Sequence, residues 1–228
     1  MNKIVLSFTG VFMLMLTGCN TGENIQNFPA MPAIVDFYSS MLQPKIITPY
    51  GVYSAPILQS AMFTELDDGD AIWTMFSVNY DQQPSTSEHY MVSEMQWFKV
   101  EKAYPTATPG GEGAGVDFNL PIESMEATWR VEDVIFFIFI HAPSDQKYTY
   151  EMTYDSENPE VVFIRAKNEG AGSRPSESSG YPYVFDMHHY FTSFPHYSEN
   201  LGDITFRYKT GVDEEGKDVY NSWKIPQW

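Results

Sequence analysis

A single cysteine, Cys19, occurs in the 228 residues, so no intrachain disulfide can form and stability has to come from packing. Cations are also scarce. Thirteen Lys and Arg stand against 30 Asp and Glu, a formal net charge of −17. A field of that sign repels phosphate backbones and sets nucleic acid aside as a partner. No apolar run reaches the roughly 20 residues that a spanning helix needs. The usual spacings of catalytic machinery are missing too. There is no Gly-x-Ser-x-Gly, and Ser178-Ser179-Gly180 has no histidine placed by spacing. The glycine-rich stretch Gly110 to Gly115 lacks the Lys-Ser/Thr ending of a phosphate loop. Carboxylates are too plentiful for any pair of them to signal a glycosidase. These absences argue against an enzyme and imply no cofactor.

What is present begins with Leu16-Thr17-Gly18-Cys19. Lys3 supplies a positive n-region, the largely apolar Ile4 to Leu16 follows, and two small residues lead into the thiol. That order reads as a bacterial lipoprotein signal over residues 1–18, with lipid on Cys19. The plain alternative is an ordinary cleaved signal with a chance cysteine at its end. Residues 19–44 then read as a lipidated tether, mostly polar at first, with a turn or two of helix between Met31 and Leu42. The expected address is the outer membrane, anchored by lipid, facing either the periplasm or the cell surface. The expected partners are the membrane, through that lipid, and an envelope protein or glycan.

The body reads as all-β. Fifteen Tyr, 16 Phe and 5 Trp with few helix-forming runs favour strands. Leu66-Asp67-Asp68-Gly69-Asp70 signals a turn, and Ala71 to Tyr80 then alternates with period 2. His89 to Lys102 supplies a second long strand. Two prolines and four glycines between Tyr104 and Val116 break the pattern and place a boundary near residue 119. Beyond it, Val134 to Ile140 is a continuous apolar run that fits a strand buried on both faces. Strands are also expected at Lys147 to Tyr154, Val161 to Lys167, Tyr183 to Phe194, Ile204 to Lys209 and Val219 to Ile225. The layout predicts a small barrel or sheet at 45–118 followed by a β-sandwich, immunoglobulin-like in its frequent turns, at 119–228.

With the lipobox, the Leu66 to Asp70 opening, Trp129 ahead of Val134 to Ile140, and the closing hairpin Ile204 to Gly211 with Gly216 in its turn, the chain resembles the NigD-like lipoproteins of Bacteroidales. The resemblance implies an OB-like N-terminal domain, a C-terminal β-sandwich and an envelope lipoprotein of undefined activity. It brings no catalytic residues.

Three groups of residues remain as candidate sites. His188-His189, with Asp186, His196 and Glu199, is the densest set of metal-capable ligands, but neighbours on a strand point to opposite faces and no metal site is assigned. Asp67 to Asp70 and Asp213 to Asp218 could hold calcium, yet both lack EF-hand spacing and suit turn chemistry. Tyr148, Tyr150, Tyr154, Tyr183 and Tyr190 could form a stacking surface for a sugar or peptide, unless they simply fill a half-wet sandwich face. The reading is a non-catalytic binding or assembly module. The alternatives are a hydrolase of surface polymers or a calcium-stabilised structural protein.

Overall fold

The computed structural model describes residues 24–37, 43–62, 64–85, 88–111, 118, 120–142, 146–171 and 180–225. Cys19 and its leader lie outside them, as do Ser178 and Ser179. The fold is all-β, built from three sheets.

The first sheet contains β1 (Ile25–Asp36), β2 (Lys45–Thr48), β3 (Gly51–Ser54), β4 (Ala71–Asn79) and β5 (Val92–Lys99), in the order β3-β2-β1-β4-β5. Its edges β3 and β5 meet at one parallel bridge, Ser54 with Met91. The sheet therefore curls as an OB-like barrel would, without the closed barrel expected from the sequence. Alternation along β4 sends Ile72, Phe76 and Val78 into the curl, where Phe28, Tyr53 and Phe76 pack ring on ring at 4.5–5.2 Å.

Residues 25–36, read from the sequence as tether and helix, instead form the central strand of this sheet. Pro29 falls where the β1–β4 register shifts, between Phe28 and Met31, so a bulge absorbs it.

The second and third sheets make a sandwich. One contains β6 (Lys102–Ala103), β12 (Tyr181–Asp186), β9 (Val134–Ile140) and β8 (Ser124–Val131). The other contains β14 (Asp218–Trp223), β13 (Thr205–Val212), β11 (Asn158–Ala171), β10 (Gln146–Asp155) and β7 (Thr106–Ala107). Three pairings are parallel: β11 with β13, β10 with β7 and β12 with β6. The sheets thus depart from the purely antiparallel immunoglobulin pattern. Among the described residues, β6 and β7, assigned by the sequence to the barrel, pair with the sandwich strands β12 and β10.

Strand β9 joins the two units. Ile135, Phe137 and Phe139 enter the sandwich core, while Val134 and Phe136 turn outward with Val131 and Val184 against Ile34, Ala71 and Trp73 of the first sheet. Trp73 meets Trp129 edge-on at 5.1 Å. A strand covered on both faces needs apolar residues at every position, which is why its sequence does not alternate.

Tyr183 to Phe194 is not one strand. β12 stops at Asp186, whose Oδ1 accepts the His188 amide at 3.0 Å, and α1 (His188–Ser193) and α2 (Pro195–Glu199) follow. Met187, Tyr190 and Phe191 recur at helical spacing and are buried, so the face they share decides the conformation.

Gly110 and Gly111 adopt left-handed backbone, and a Cβ on Gly111 would stand 2.8 Å from a Phe163 ring carbon. Gly69 has the same φ of +75° with open space around it. Replacing Gly69 by Ala should cost only the left-handed penalty, about 1–2 kcal/mol. Gly111→Ala should cost clearly more in a denaturant titration; equal losses would contradict the close packing described. In the same assay Phe136→Ala should lose about 3–5 kcal/mol.

Candidate functional site

The five tyrosines expected to form a ligand surface are interior. Tyr148, Tyr150, Tyr154, Tyr183 and Tyr190 are 1–8% exposed. They belong to the sandwich core because each stands on the inward side of its element, beside Phe137, Phe139 and Phe206. Two of their hydroxyls have identified partners, those of Tyr150 and Tyr190. Tyr150 bonds His141 Nε2 at 2.7 Å, His141 Nδ1 meets the Pro121 carbonyl at 2.9 Å, and Tyr190 donates to the Pro159 carbonyl at 2.6 Å.

The histidine cluster is divided. His188 Nδ1 lies 2.9 Å from Asp133, while His196 Nε2 lies 2.8 Å from Asp203. Asp133 also meets Arg130 at 3.4 Å, and Arg130 donates to both the carbonyl and the hydroxyl of Ser198. Ser198 Oγ is therefore engaged by a guanidinium. Among the described residues no three His, Cys, Asp or Glu side chains converge as a metal site would require.

Both acidic turns serve the backbone. Asp68 accepts the Phe37 amide at 2.7 Å, and Asp70 accepts the Asp67 amide at 2.7 Å and pairs with Lys99 at 2.6 Å. Asp213 accepts the amides of Glu215 and Lys217 at 2.9 and 2.8 Å. Asp218 pairs with the buried Lys209 at 2.6 Å.

Exposed aromatic surface lies elsewhere. Tyr50, Tyr90, Phe98 and Tyr104 are 39–68% exposed, and all four belong to β2–β7 and their connections. The β4–β5 connection is the best organised of these places. Gln83 bonds both of its ends, donating to the carbonyls of Asn79 and Met91 at 2.6 and 3.2 Å and accepting the Met91 amide at 2.6 Å. Asn79 Oδ1 accepts the Asp81 amide at 3.0 Å. The Tyr80 hydroxyl donates to Gln26 at 2.7 Å, and the Tyr90 ring stands edge-on to Tyr80 at 4.8 Å. The Tyr90 carbonyl accepts the Ser54 amide at 2.9 Å, so the connection also spans the seam between β3 and β5.

Gln83 and the Tyr80 ring hold an exposed tyrosine in place, which can present an amphipathic ring to a partner. In OB folds that same connection contributes to the binding face. The sequence had placed Tyr90 inside a long strand. Pro84 and the polar run from Asp81 to Glu88 marked the loop, but nothing marked the clamp by Gln83.

Burial pushes the Tyr190 phenol well above its ordinary 10.0, and Tyr197, Tyr154 and Glu160 add to the shift. Its folded pKa is raised, so its contribution to stability is complete below pH 10 and is lost as pH climbs beyond it. Thermal unfolding should show a fall above that pH, and Tyr190→Phe should make the alkaline fall shallower; an unchanged profile would contradict the assignment. Gln83→Ala should cost about 1–3 kcal/mol, since each lost bond contributes about 1. It should also speed amide exchange between residues 80 and 91; unaltered exchange there would remove the clamp.

No protein-family model matches the chain, and no curated protein matches it. Solved structures do. A protein of unassigned function from Parabacteroides merdae ATCC 43184 is 19% identical with a TM-score of 0.65, covering 88% of this chain and all of that one. A candidate lipoprotein from Bacteroides fragilis NCTC 9343 is 10% identical with a TM-score of 0.56, covering 88% and 97%. A NigD-like immunity protein from Bacteroides caccae ATCC 43185 is 10% identical with a TM-score of 0.46, covering 89% and 98%. The first two share this chain's all-β fold along nearly its whole length.

Proposed function

We propose that this protein is a lipid-anchored component of the bacterial outer membrane, akin to the NigD-like lipoproteins, that acts as a non-catalytic binding or assembly module. The observation that carries the reading is the clamped β4–β5 connection with Tyr90 exposed on it. The lipobox ending at Cys19 supports the anchor, and the fold shared with a candidate lipoprotein of Bacteroides fragilis agrees with it. The side chains that sequence alone would nominate for chemistry, His188 and the acidic turns among them, hold turns, helix starts and strand pairs. In this reading the curled first sheet makes the contact with an envelope protein or glycan, and the sandwich supports it.

Two experiments test it. Cys19→Ala should abolish incorporation of labelled palmitate and free the protein from the membrane fraction; labelling that persists would refute the anchor. With residues 24–228 as bait on detergent-solubilised envelope of the native host, Tyr90→Ala should lower capture of a saturable partner at least tenfold while leaving the fold intact by circular dichroism. Capture that ignores Tyr90 would move the contact elsewhere. Capture of nothing saturable, by native bait and variant alike, would count against a binding role.

A further inference from the structure

The end of the first sheet that carries Tyr90 is also the end at which the chain enters it. Ile25, the first residue of β1, stands opposite Asn79, the last of β4. The Asn24 amide donates to Asp81 Oδ2 at 2.8 Å, and the Asn24 carbonyl accepts the Tyr80 amide at 2.9 Å. Tyr80 meets Tyr90 edge-on, so the entering strand, the turn after β4 and the exposed ring form one fastened corner. Ile25 and Tyr90 are exposed there, as are Asp81 and Glu88.

Cys19 lies five residues before Asn24. Five residues span at most about 18 Å when fully extended, so a lipid on that thiol keeps the corner within about 18 Å of the bilayer surface. A small domain is roughly 30 Å across. A globular partner dissolved in the adjoining compartment does not fit between the corner and the bilayer, whereas the rim of a membrane-embedded protein does.

Charge then separates lipid from protein. Of the 13 Lys and Arg, Lys45 is the only one between Cys19 and Lys99. It stands on β2, across β3 from the seam with β5. The corner itself offers Asp81 and Glu88, and phosphate-bearing headgroups are repelled by such a surface. Lys and Arg side chains at the boundary of a membrane-embedded protein complement it, with apolar stems along that protein and charged ends at the bilayer surface. The two carboxylates can pair with those cations, and the Tyr90 ring offers a face for cation–π contact.

We infer that the Tyr90 corner docks on the basic, bilayer-level rim of an integral membrane protein. The inference rests on the anchored binding reading above and names the class of partner.

The test uses the full-length lipidated protein in its native host. Photoreactive p-benzoylphenylalanine replaces Gln82, in the exposed turn after β4, or Ile25, with Val212 on the β13–β14 hairpin as the control position. Both corner positions should crosslink to one protein that stays in the membrane after alkaline carbonate washing, through a peptide carrying Lys or Arg. Val212 should not crosslink to it. Glu88→Lys should lower the adduct at least threefold, and so should about 1 M salt on isolated membranes, where the screening length falls to about 3 Å. Residues 24–228 should not sediment with phosphatidylcholine or phosphatidylglycerol vesicles.

Vesicle binding, or crosslinks confined to lipid or lipopolysaccharide, would make the corner a lipid contact and overturn the proposal. So would an adduct with a protein that carbonate removes, or one indifferent to Glu88→Lys. No adduct at either corner position while Cys19 takes up palmitate would overturn this inference alone, and Tyr90-dependent capture by residues 24–228 would still uphold the binding reading. Absence of palmitate on Cys19 would remove the anchor and this inference with it.

Discussion

The structure depends on one sheet being buried on both sides. β9 sends Phe137 and Phe139 into the sandwich and Phe136 into the first sheet, so the same seven residues complete two cores. Trp73 and Trp129 close the second of them edge to face. Without the first sheet, Phe136, Val134 and Val184 would face water, an apolar exposure that a monomeric soluble surface rarely carries. The Trp73 Nε1 donor is buried there with no acceptor, a cost that the surrounding apolar contact has to outweigh. The two units are therefore parts of a single packing arrangement rather than beads on a linker. The chain between them reinforces this, since β5 runs directly into β6 and β7, which add to the two sandwich sheets in turn.

Polar groups are largely committed to this framework. Asp70 ties the turn before β4 to Lys99, and Lys102 donates to the Gly69 carbonyl while lying 3.8 Å from Asp186, linking first sheet to sandwich. Lys209, fully buried, is held by Asp218. Removing one partner of such a buried pair would leave an uncompensated charge, so these residues specify arrangement more than they add stability. Against that background, Tyr90 differs: its ring is braced edge-on by Tyr80 and is still 54% exposed.

Much of the fold was legible in the residues. Period-2 alternation marked β4, β10 and β13, and the unbroken apolar run of β9 announced burial on both faces. Three features were not legible. Pro29 and Pro32 concealed β1, because a bulge that tolerates proline depends on the neighbouring strand. β6 and β7 are two residues each and pair in parallel with distant strands, leaving no local pattern. The helices α1 and α2 were masked by the β propensity of Tyr190 and Phe191, although Met187, Tyr190, Phe191 and Phe194 carry helical spacing. The site was legible least of all. Tyrosine alternation suggested a surface, but alternation reports only that one face differs from the other, and here the tyrosine face is the interior. His141, stacked on Tyr148 and bonded to Tyr150, shows how a core accommodates those hydroxyls.

The central claim is that β9 and its sheet fuse the two units into one cooperative body. Native-state hydrogen exchange under increasing denaturant, read separately at Phe76 in the first sheet and Phe137 in the sandwich, tests it most directly. The account predicts that both amides converge on one opening free energy and one denaturant dependence. A first sheet that opens at lower denaturant while Phe137 stays protected would contradict it.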